Sequence, residues 1–352
     1  MSPPPVIPHS RPSLGEAEAQ TAADVIRTGW IAQGEKVAEF EHTLAKLTGQ
    51  DQGVAVSSGT AALFLALQAL DIGPGDEVVI PSYSCTALWH AVNQAGATPV
   101  LADIDSATYN LSPVAVARAI TLRTKAVIVV HSFGLPVDVA ELKVAGIPLI
   151  EDCAQTLGVS VQGAPVGSRG DLTVCSFYAT KLLTTGEGGM VLGRSALRLS
   201  RIRAFRQYDE QKELKPAFNY KMTDLQAALG LSQAARFESF LERRRAIAMR
   251  YAEVVRKAGF EPPHVPHGRE HAYYRFVVRM PTPVAPMLER AQARGIACRR
   301  PVHRPIHRYW GLEGFPESDA AWEHTLSIPI YPALSDGEIT RVVEALPSIL
   351  AG

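Results

Sequence analysis

The strongest constraint on this chain is an alternation of two hydrophobic rhythms over its first 190 residues. GVAVS (53–57), EVVIP (77–81), TPVLA (98–102), KAVIVV (125–130), IPLIED (147–152), LTVCSF (172–177) and GMVLG (189–193) are short, mostly apolar runs. They predict strands buried on both faces. Segments with apolar residues at helical spacing lie between most of them. This order predicts an α/β fold, a mainly parallel sheet covered by helices. A chain of 352 residues is long enough to enclose such a sheet and a second core. From Met222 to Gly259 one long helical pattern suggests a connector leading out of the first unit. Beyond it, the strand-like YYRFVVRM (273–280) and a helix near 335–350 read as a smaller α+β domain. The expected division is a large domain over residues 1–245 and a small C-terminal domain over 246–352. The proline-rich start, MSPPPVIPHSRP, reads as an extended arm.

Ligands of such sheets gather at the carboxyl ends of the strands, and three segments place reactive groups there. In EDCAQTLG (151–158), Asp152 ends an apolar strand. In SFYATKLLTTGEGG (176–189), Lys181 follows a strand and precedes a loop rich in glycine and threonine. A carboxylate and an amine so placed are what pyridoxal phosphate (PLP) chemistry needs. The amine forms a Schiff base with the cofactor aldehyde, and the acid keeps the pyridine nitrogen protonated. The alternative is a buried acid paired with a lysine. In the third segment, AVSSGTAALFLALQAL (55–70), Ser58, Gly59 and Thr60 open a helix after a short strand. Free N–H groups at a helix start make a phosphate site, although a serine there also serves simply as a cap.

Together these segments resemble the DegT/DnrJ/StrS family of sugar aminotransferases, within the fold type I PLP enzymes. The resemblance also covers GWIAQG (29–34), GDEVVIPSYS (75–84), ADIDSATYNL (102–111), FNYKMTDLQAALG (218–230) and LSIPIYPAL (326–334). It implies an amino transfer from an amino acid such as glutamate to a keto sugar, nucleotide-linked or a free cyclitol. The cofactor would alternate between PLP and its pyridoxamine phosphate form. Lys181 and Asp152 would be catalytic. Gly59, Thr60 and Ser176 would hold the phosphate beside Ser58, and Gln155 would contact the ring and its phenolic oxygen. Asn219, in FNYKM, would reach the phosphate of a neighbouring subunit, so that a homodimer shares its active sites. Trp30, Glu187, His303, Arg304 and Tyr331 are the candidate substrate contacts. A dehydratase branch of the fold carries histidine where this chain has Lys181, which argues against that reaction. A non-catalytic regulator would lack the lysine or add a DNA-binding segment, and neither is seen.

One position departs from the family pattern. In PSYSCTALWHAV, Cys85 stands where an aromatic ring is expected to stack on the pyridine, with Tyr83 and Trp89 as possible substitutes. A polarisable sulfur can also pack on a ring. CRRPVHRPIHRYW (298–310) could bind a diphosphate or form a solvated basic face. His303 and His307 lack the carboxylate or cysteine company of a metal site, so no metal is expected. Arg243–Arg245 and the arginines between 198 and 206 read as solvent-facing helix decoration. With 35 basic and 35 acidic residues, no general attraction to nucleic acid or membrane is expected. Four scattered cysteines and no signal peptide point to the cytoplasm.

Overall fold

The structure, a computed structural model, describes residues 5–209, 214 and 216–351. In chain order the elements are α1 (Glu16–Thr28), α2 (Glu35–Thr48), β1 (Gln52–Val56), α3 (Gly59–Ala69), β2 (Glu77–Pro81), α4 (Ala87–Gln94), β3 (Thr98–Ala102), α5 (Pro113–Ala119), β4 (Thr124–Val130), β5 (Leu149–Asp152), the short β6 (Ser160–Val161) and β7 (Ala164–Pro165), β8 (Leu172–Ser176) and β9 (Gly189–Gly193). They continue with α6 (Ala196–Arg206), α7 (Asp224–Ala235), α8 (Phe237–Lys257), β10 (Phe276–Arg279), α9 (Ala285–Ala293), α10 (Pro316–His324), β11 (Thr325–Ile328) and α11 (Asp336–Leu350).

Seven strands form one sheet in the order β1-β9-β8-β5-β4-β2-β3. Strand β9 runs antiparallel to both its neighbours, whereas β8, β5, β4, β2 and β3 pair in parallel. The reversal sets the first residue of β9, Gly189, opposite the last residues of β1 and β8, Val56 and Ser176. The β-branched runs read from the sequence therefore do form a mainly parallel sheet. Its one reversed strand narrows the space at the carboxyl ends where ligands collect.

The helix α3 is apolar on nearly every side, with Ala61 to Leu67 buried. Such a helix belongs inside a core. Its residues pack with Val54, Ile128, Ile150, Val174 and Val191 from one face of the sheet. The opposite face is covered by two further clusters, one of which includes Phe40, Cys175, Phe177 and Phe240. Side-chain caps mark helix starts: Ser58 for α3, Ser112 for α5 and Ser195 for α6, with capping boxes at α7 and α11.

A second core joins the end of α8 to β10, β11, α9 and α11 through Tyr251, Phe276, Leu326, Met287 and Val342. Residues Phe237, Phe240 and Leu241 of α8 pack on the sheet side. Ile247, Tyr251 and Val255, after position 245, pack in the second core. Ile7 also lies in that core and exchanges backbone hydrogen bonds with Gly295 and Ala297. The N-terminal arm is thus anchored on the C-terminal part of the chain.

The continuous helix expected over 222–259 is in fact two helices. Arg236 leaves helical geometry at φ −112° and ψ 7°, ending α7 and starting α8. Among the described residues no helix is long and apolar enough to cross a membrane.

Candidate active site

Four chain segments meet at the carboxyl end of the sheet. The first is the start of α3. The Ser58 hydroxyl accepts the Ala61 N–H at 3.1 Å, and the Ser58 carbonyl accepts that of Ala62 at 3.0 Å. This leaves the N–H groups of Gly59 and Thr60 as the free donors of the first turn. Gly59 packs so tightly on Ser176 that a Cβ there would lie 2.7 Å from the Ser176 Cβ. Ser57 is tied to the segment ahead of α7 by its N–H, which donates to the Tyr220 carbonyl at 2.8 Å.

The second segment is the end of β5. Asp152 is buried, and its Oδ1 accepts the Ala154 N–H at 2.9 Å. Burial raises its pKa, opposed by that hydrogen bond and by the charge of Lys181. The third is the loop after β8. Phe177 N–H donates to the Gly188 carbonyl at 2.8 Å and Thr185 N–H to the Phe177 carbonyl at 2.9 Å. These bonds close a loop that projects Lys181. Its Nζ lies 5.3 Å from the ring centre of Tyr274 and has no carboxylate within ion-pair range among the described residues.

The fourth is the turn after β2. Cys85 is open to solvent yet enclosed by protein on most sides, as a group lining a cavity must be. Burial pushes its thiol pKa up, and the charges of both Lys181 and Asp152 act on it. Cys85 therefore sits beside both residues.

A buried acid facing an unpaired amine, next to a helix start with two free N–H groups, can hold a phosphorylated aromatic cofactor. The sequence profile of the DegT/DnrJ/EryC1/StrS aminotransferase family matches residues 12–347. The chain belongs to that family. It is a PLP-dependent sugar aminotransferase. It is 35% identical to the spore coat polysaccharide biosynthesis protein SpsC of Bacillus subtilis, over 98% of this chain and 97% of that protein. Spr1654 from Streptococcus pneumoniae, solved in its PLP form, superposes with a TM-score of 0.91 at 29% identity, covering 98% of each chain. DesI, solved in the presence of its TDP-sugar product, gives a TM-score of 0.90 at 31% identity, covering 98% of this chain and 92% of that one.

In the aminotransferase the expected residues fall into two groups. Ser58, Gly59, Thr60, Cys85, Asp152, Ser176 and Lys181 converge as described. Gln155 joins them just after β5, where its Oε1 accepts the Phe133 N–H at 3.0 Å. Asn219 is exposed, and its Oδ1 accepts the Lys221 N–H at 3.4 Å. Trp30 is exposed on the α1–α2 loop, beside a groove of about 610 Å³ that Asp24, Thr28 and Lys36 also line. Glu187 is exposed, with its carbonyl accepting from Thr185 and Gln226. Tyr331 is buried in the second core beneath the Arg11 guanidinium, its hydroxyl unpartnered.

The basic stretch 298–310 is largely occupied by intramolecular contacts. Arg308 pairs with Asp319 and Glu323, and both Arg300 and Arg308 lie over the Trp322 ring. His307 is buried between Ser82 and Asp319. His303 and Arg304 are exposed, Arg304 lying over the Tyr309 ring. Neither proposed substitute for the stacking ring is free. Tyr83 is fixed in an aromatic cluster with Tyr109 and Phe133, and Trp89 stacks on Trp310 at 3.9 Å.

Two expectations about arginines are corrected. Arg243 and Arg245 pair with Asp336 and Glu238 near the surface, but Arg244 is buried. Arg244 donates to the carbonyls of Tyr273 and Ile330, both at 3.0 Å, and burial pulls its pKa down to about 10. Arg206 is likewise buried, paired with Glu41 at 2.8 Å.

Three site neighbours went unrecognised in the sequence: Tyr274, His131 and Arg244. Tyr274 only begins a strand-like run, and Arg244 sits in an ordinary arginine triplet, so neither carries a local signal. His131 follows an apolar strand, which could have marked it as a strand-end group. Its Nδ1 accepts the Val137 N–H at 3.0 Å, so Nε2 carries the proton donated to Glu151, 3.0 Å away. His131, Glu151 and Cys153 cluster closely enough to suggest a metal. Glu151, however, is already saturated by His131 and the N–H groups of Gly167, Arg169 and Gly170. That carboxylate is structural.

Proposed function

We propose that this aminotransferase moves an amino group from an amino acid, glutamate in the first instance, to a keto sugar carried on a nucleotide. Lys181 is the amine that engages the cofactor aldehyde. The observation carrying this reading is the Lys181 ammonium, unpaired with any described carboxylate yet close to the buried Asp152. When bound, PLP supplies an electron sink for negative charge developing on the reacting carbon.

The residues present fit that group. The Gly59 and Thr60 N–H groups and the Ser176 hydroxyl would hold its phosphate. Asp152, kept from water, would hold a proton on the pyridine nitrogen. Because Gln155 Oε1 is already engaged by Phe133, its amide nitrogen remains to donate to the phenolic oxygen. Cys85 would pack against the ring face with its sulfur. Once displaced, Lys181 Nζ would carry the proton to and from the substrate carbon. A phosphate contact from Asn219 of a second copy would make the working form a homodimer. Trp30 and Glu187 are exposed where a second copy or a large acceptor could meet them. His303 and Arg304 are the exposed polar groups of the stretch 298–310 and remain candidate acceptor contacts, as does Tyr331.

The TDP-sugar of DesI supports a nucleotide-linked acceptor; a free cyclitol is the second reading. The reaction is assigned to the cytoplasm, in keeping with four unpaired thiols. The deciding test is borohydride reduction of the purified protein followed by peptide mapping. The cofactor adduct is expected on Lys181, and Lys181→Ala should lose several orders of magnitude in both half-reactions. An adduct on another lysine would overturn the assignment. A panel of keto sugars and keto cyclitols, scored by return of the cofactor to its PLP absorbance, identifies the acceptor.

A further inference from the structure

We infer that the cavity between the N-terminal arm and the Lys181 loop binds a carboxylate of the amino-acid donor. Arg275 and Arg299 are its cationic jaws, and His9 is their uncharged partner. This rests on the reading of the chain as an aminotransferase fed by an amino acid.

The cavity measures about 440 Å³ and is lined by His9, Ser10, Thr180 and Arg299, among others. Thr180 immediately precedes Lys181. Arg275 stands behind that wall rather than on it, with its Nη1 3.1 Å from His9 Nδ1. Among the described residues neither Arg275 nor Arg299 has an acidic partner. Arg206, Arg236 and Arg308 each pair with a carboxylate, and the buried Arg244 is satisfied by backbone carbonyls. Two guanidiniums without an acid, Arg299 on the cavity wall and Arg275 against its His9, suit an anion, and their planar donor edges match a carboxylate.

His9 completes the arrangement. Burial, then Arg275 and Arg299, lower its pKa to about 3, so the ring is neutral and can accept from a guanidinium. Its Nε2 lies 2.9 Å from the Ser327 hydroxyl, and Ile7 is pinned by backbone bonds to Gly295 and Ala297. The arm is therefore a fixed wall of the cavity.

The reach from the reacting amine is short enough for an amino acid. The Tyr274 ring centre lies 5.3 Å from Lys181 Nζ and 5.2 Å from the Arg275 guanidinium carbon. The Thr180 hydroxyl bonds to the same tyrosine. The two cations cannot be farther apart than the sum of those distances. An amino acid places its carboxylates within four bonds of the carbon bearing its amine. A nucleotide sugar places a ring between its keto carbon and its diphosphate, so the donor is the better fit.

The test uses glutarate, a dicarboxylate with neither an amine nor a carbonyl. Its affinity for the PLP-loaded enzyme is measured by calorimetry for wild type, Arg299→Gln, Arg275→Gln and Arg275→Lys. UDP is titrated in parallel. Arg299→Gln and Arg275→Gln are expected to weaken glutarate about 10- to 100-fold with little change for UDP. Arg275→Lys should recover part of the loss, which a merely misfolded site would not. Equal glutarate affinity in all four proteins, or none in wild type, overturns the inference. So does a loss confined to UDP, which would give the cavity to the diphosphate. If glutamate leaves the cofactor spectrum unchanged while glutarate binds in an arginine-dependent way, the carboxylate site stands and the donor reading falls.

Discussion

A Cβ on Gly189 would stand 2.2 Å from the carbonyl oxygen of Ser58. The reversed strand β9 begins directly beneath the first turn of α3, and that turn carries the two free N–H groups of the site. The obstructing atom is backbone, so no side-chain rotation can relieve the clash. The sheet topology and the first turn of α3 are coupled through this one hydrogen.

Gly189→Ala is therefore expected to displace the start of α3 and weaken both fold and cofactor binding. Overpacking of this kind typically costs about 1–3 kcal/mol. Urea unfolding should show the loss, and PLP titration should show weaker binding than in wild type. Gly186→Ala is a control for loop strain, since its left-handed backbone faces open space. It should cost less in cofactor affinity.

Asp152→Asn separates stability from function. Burial raises the folded pKa of Asp152 above its ordinary 3.8. An acid whose folded pKa is raised loses stability as pH climbs from the unfolded value through the folded one. The cofactor-free Asp152→Asn variant should then be more stable than wild type at neutral pH, an advantage that fades below about pH 3.8. Its half-reactions should be slower by about 100- to 1000-fold, because an amide cannot hold the ring nitrogen as a cation. Thermal melts across pH and single-turnover absorbance measure the two effects. Unchanged turnover would reduce Asp152 to a strand-end acid.

Glu151, one residue earlier and on the opposite face of the strand, has the reverse sign. Burial opposes its ionisation, but the hydrogen bond from His131 and the N–H groups of Gly170 and Arg169 hold its pKa below 4.5. Its contribution is present above pH 4.5 and is lost as pH falls through the lower folded value. Glu151→Gln should destabilise the protein by about 2–4 kcal/mol at pH 7 and flatten the acid limb of the stability profile. Urea titrations at pH 7 and pH 4 check both. Adding zinc should not change the melting temperature, since every Glu151 oxygen is already engaged.

Much of this was legible in the chain because it is local. Runs such as EVVIP and GMVLG became strands at the positions read, and Ser58 caps α3 as its place before an apolar helix requires. Order along the chain was enough to bring Asp152, Lys181 and Ser58 to one edge of a parallel sheet. What stayed hidden depends on partners distant in sequence. Arg206 is buried because Glu41, 165 residues away, meets it, and Arg244 because the Ile330 carbonyl, 86 residues on, does. The break at Arg236 was invisible because the apolar period continues on both sides of it. The N-terminal arm gave only its prolines, not the core that Ile7 would join.

The proposed assembly is tested at Asn219, which lies one residue before Tyr220, whose carbonyl fixes Ser57 beside the start of α3. Its side chain nevertheless faces solvent, held among the described residues by the Lys221 N–H. An asparagine serving its own site should be turned inward; one serving a second copy should be exposed in the isolated chain. On the proposed homodimer with shared sites, Lys181→Ala and Asn219→Ala subunits, each impaired alone at limiting PLP, are therefore expected to recover activity when mixed. In each hybrid one site combines an intact lysine with an intact asparagine, so about a quarter of wild-type activity should return at equal, random mixing. PLP titration of Asn219→Ala alone should show weaker binding, by about 10-fold for one lost phosphate contact. Weak binding without recovery in hybrids would place Asn219 in its own subunit's site. Unchanged binding would leave it only the turn ahead of α7 to shape.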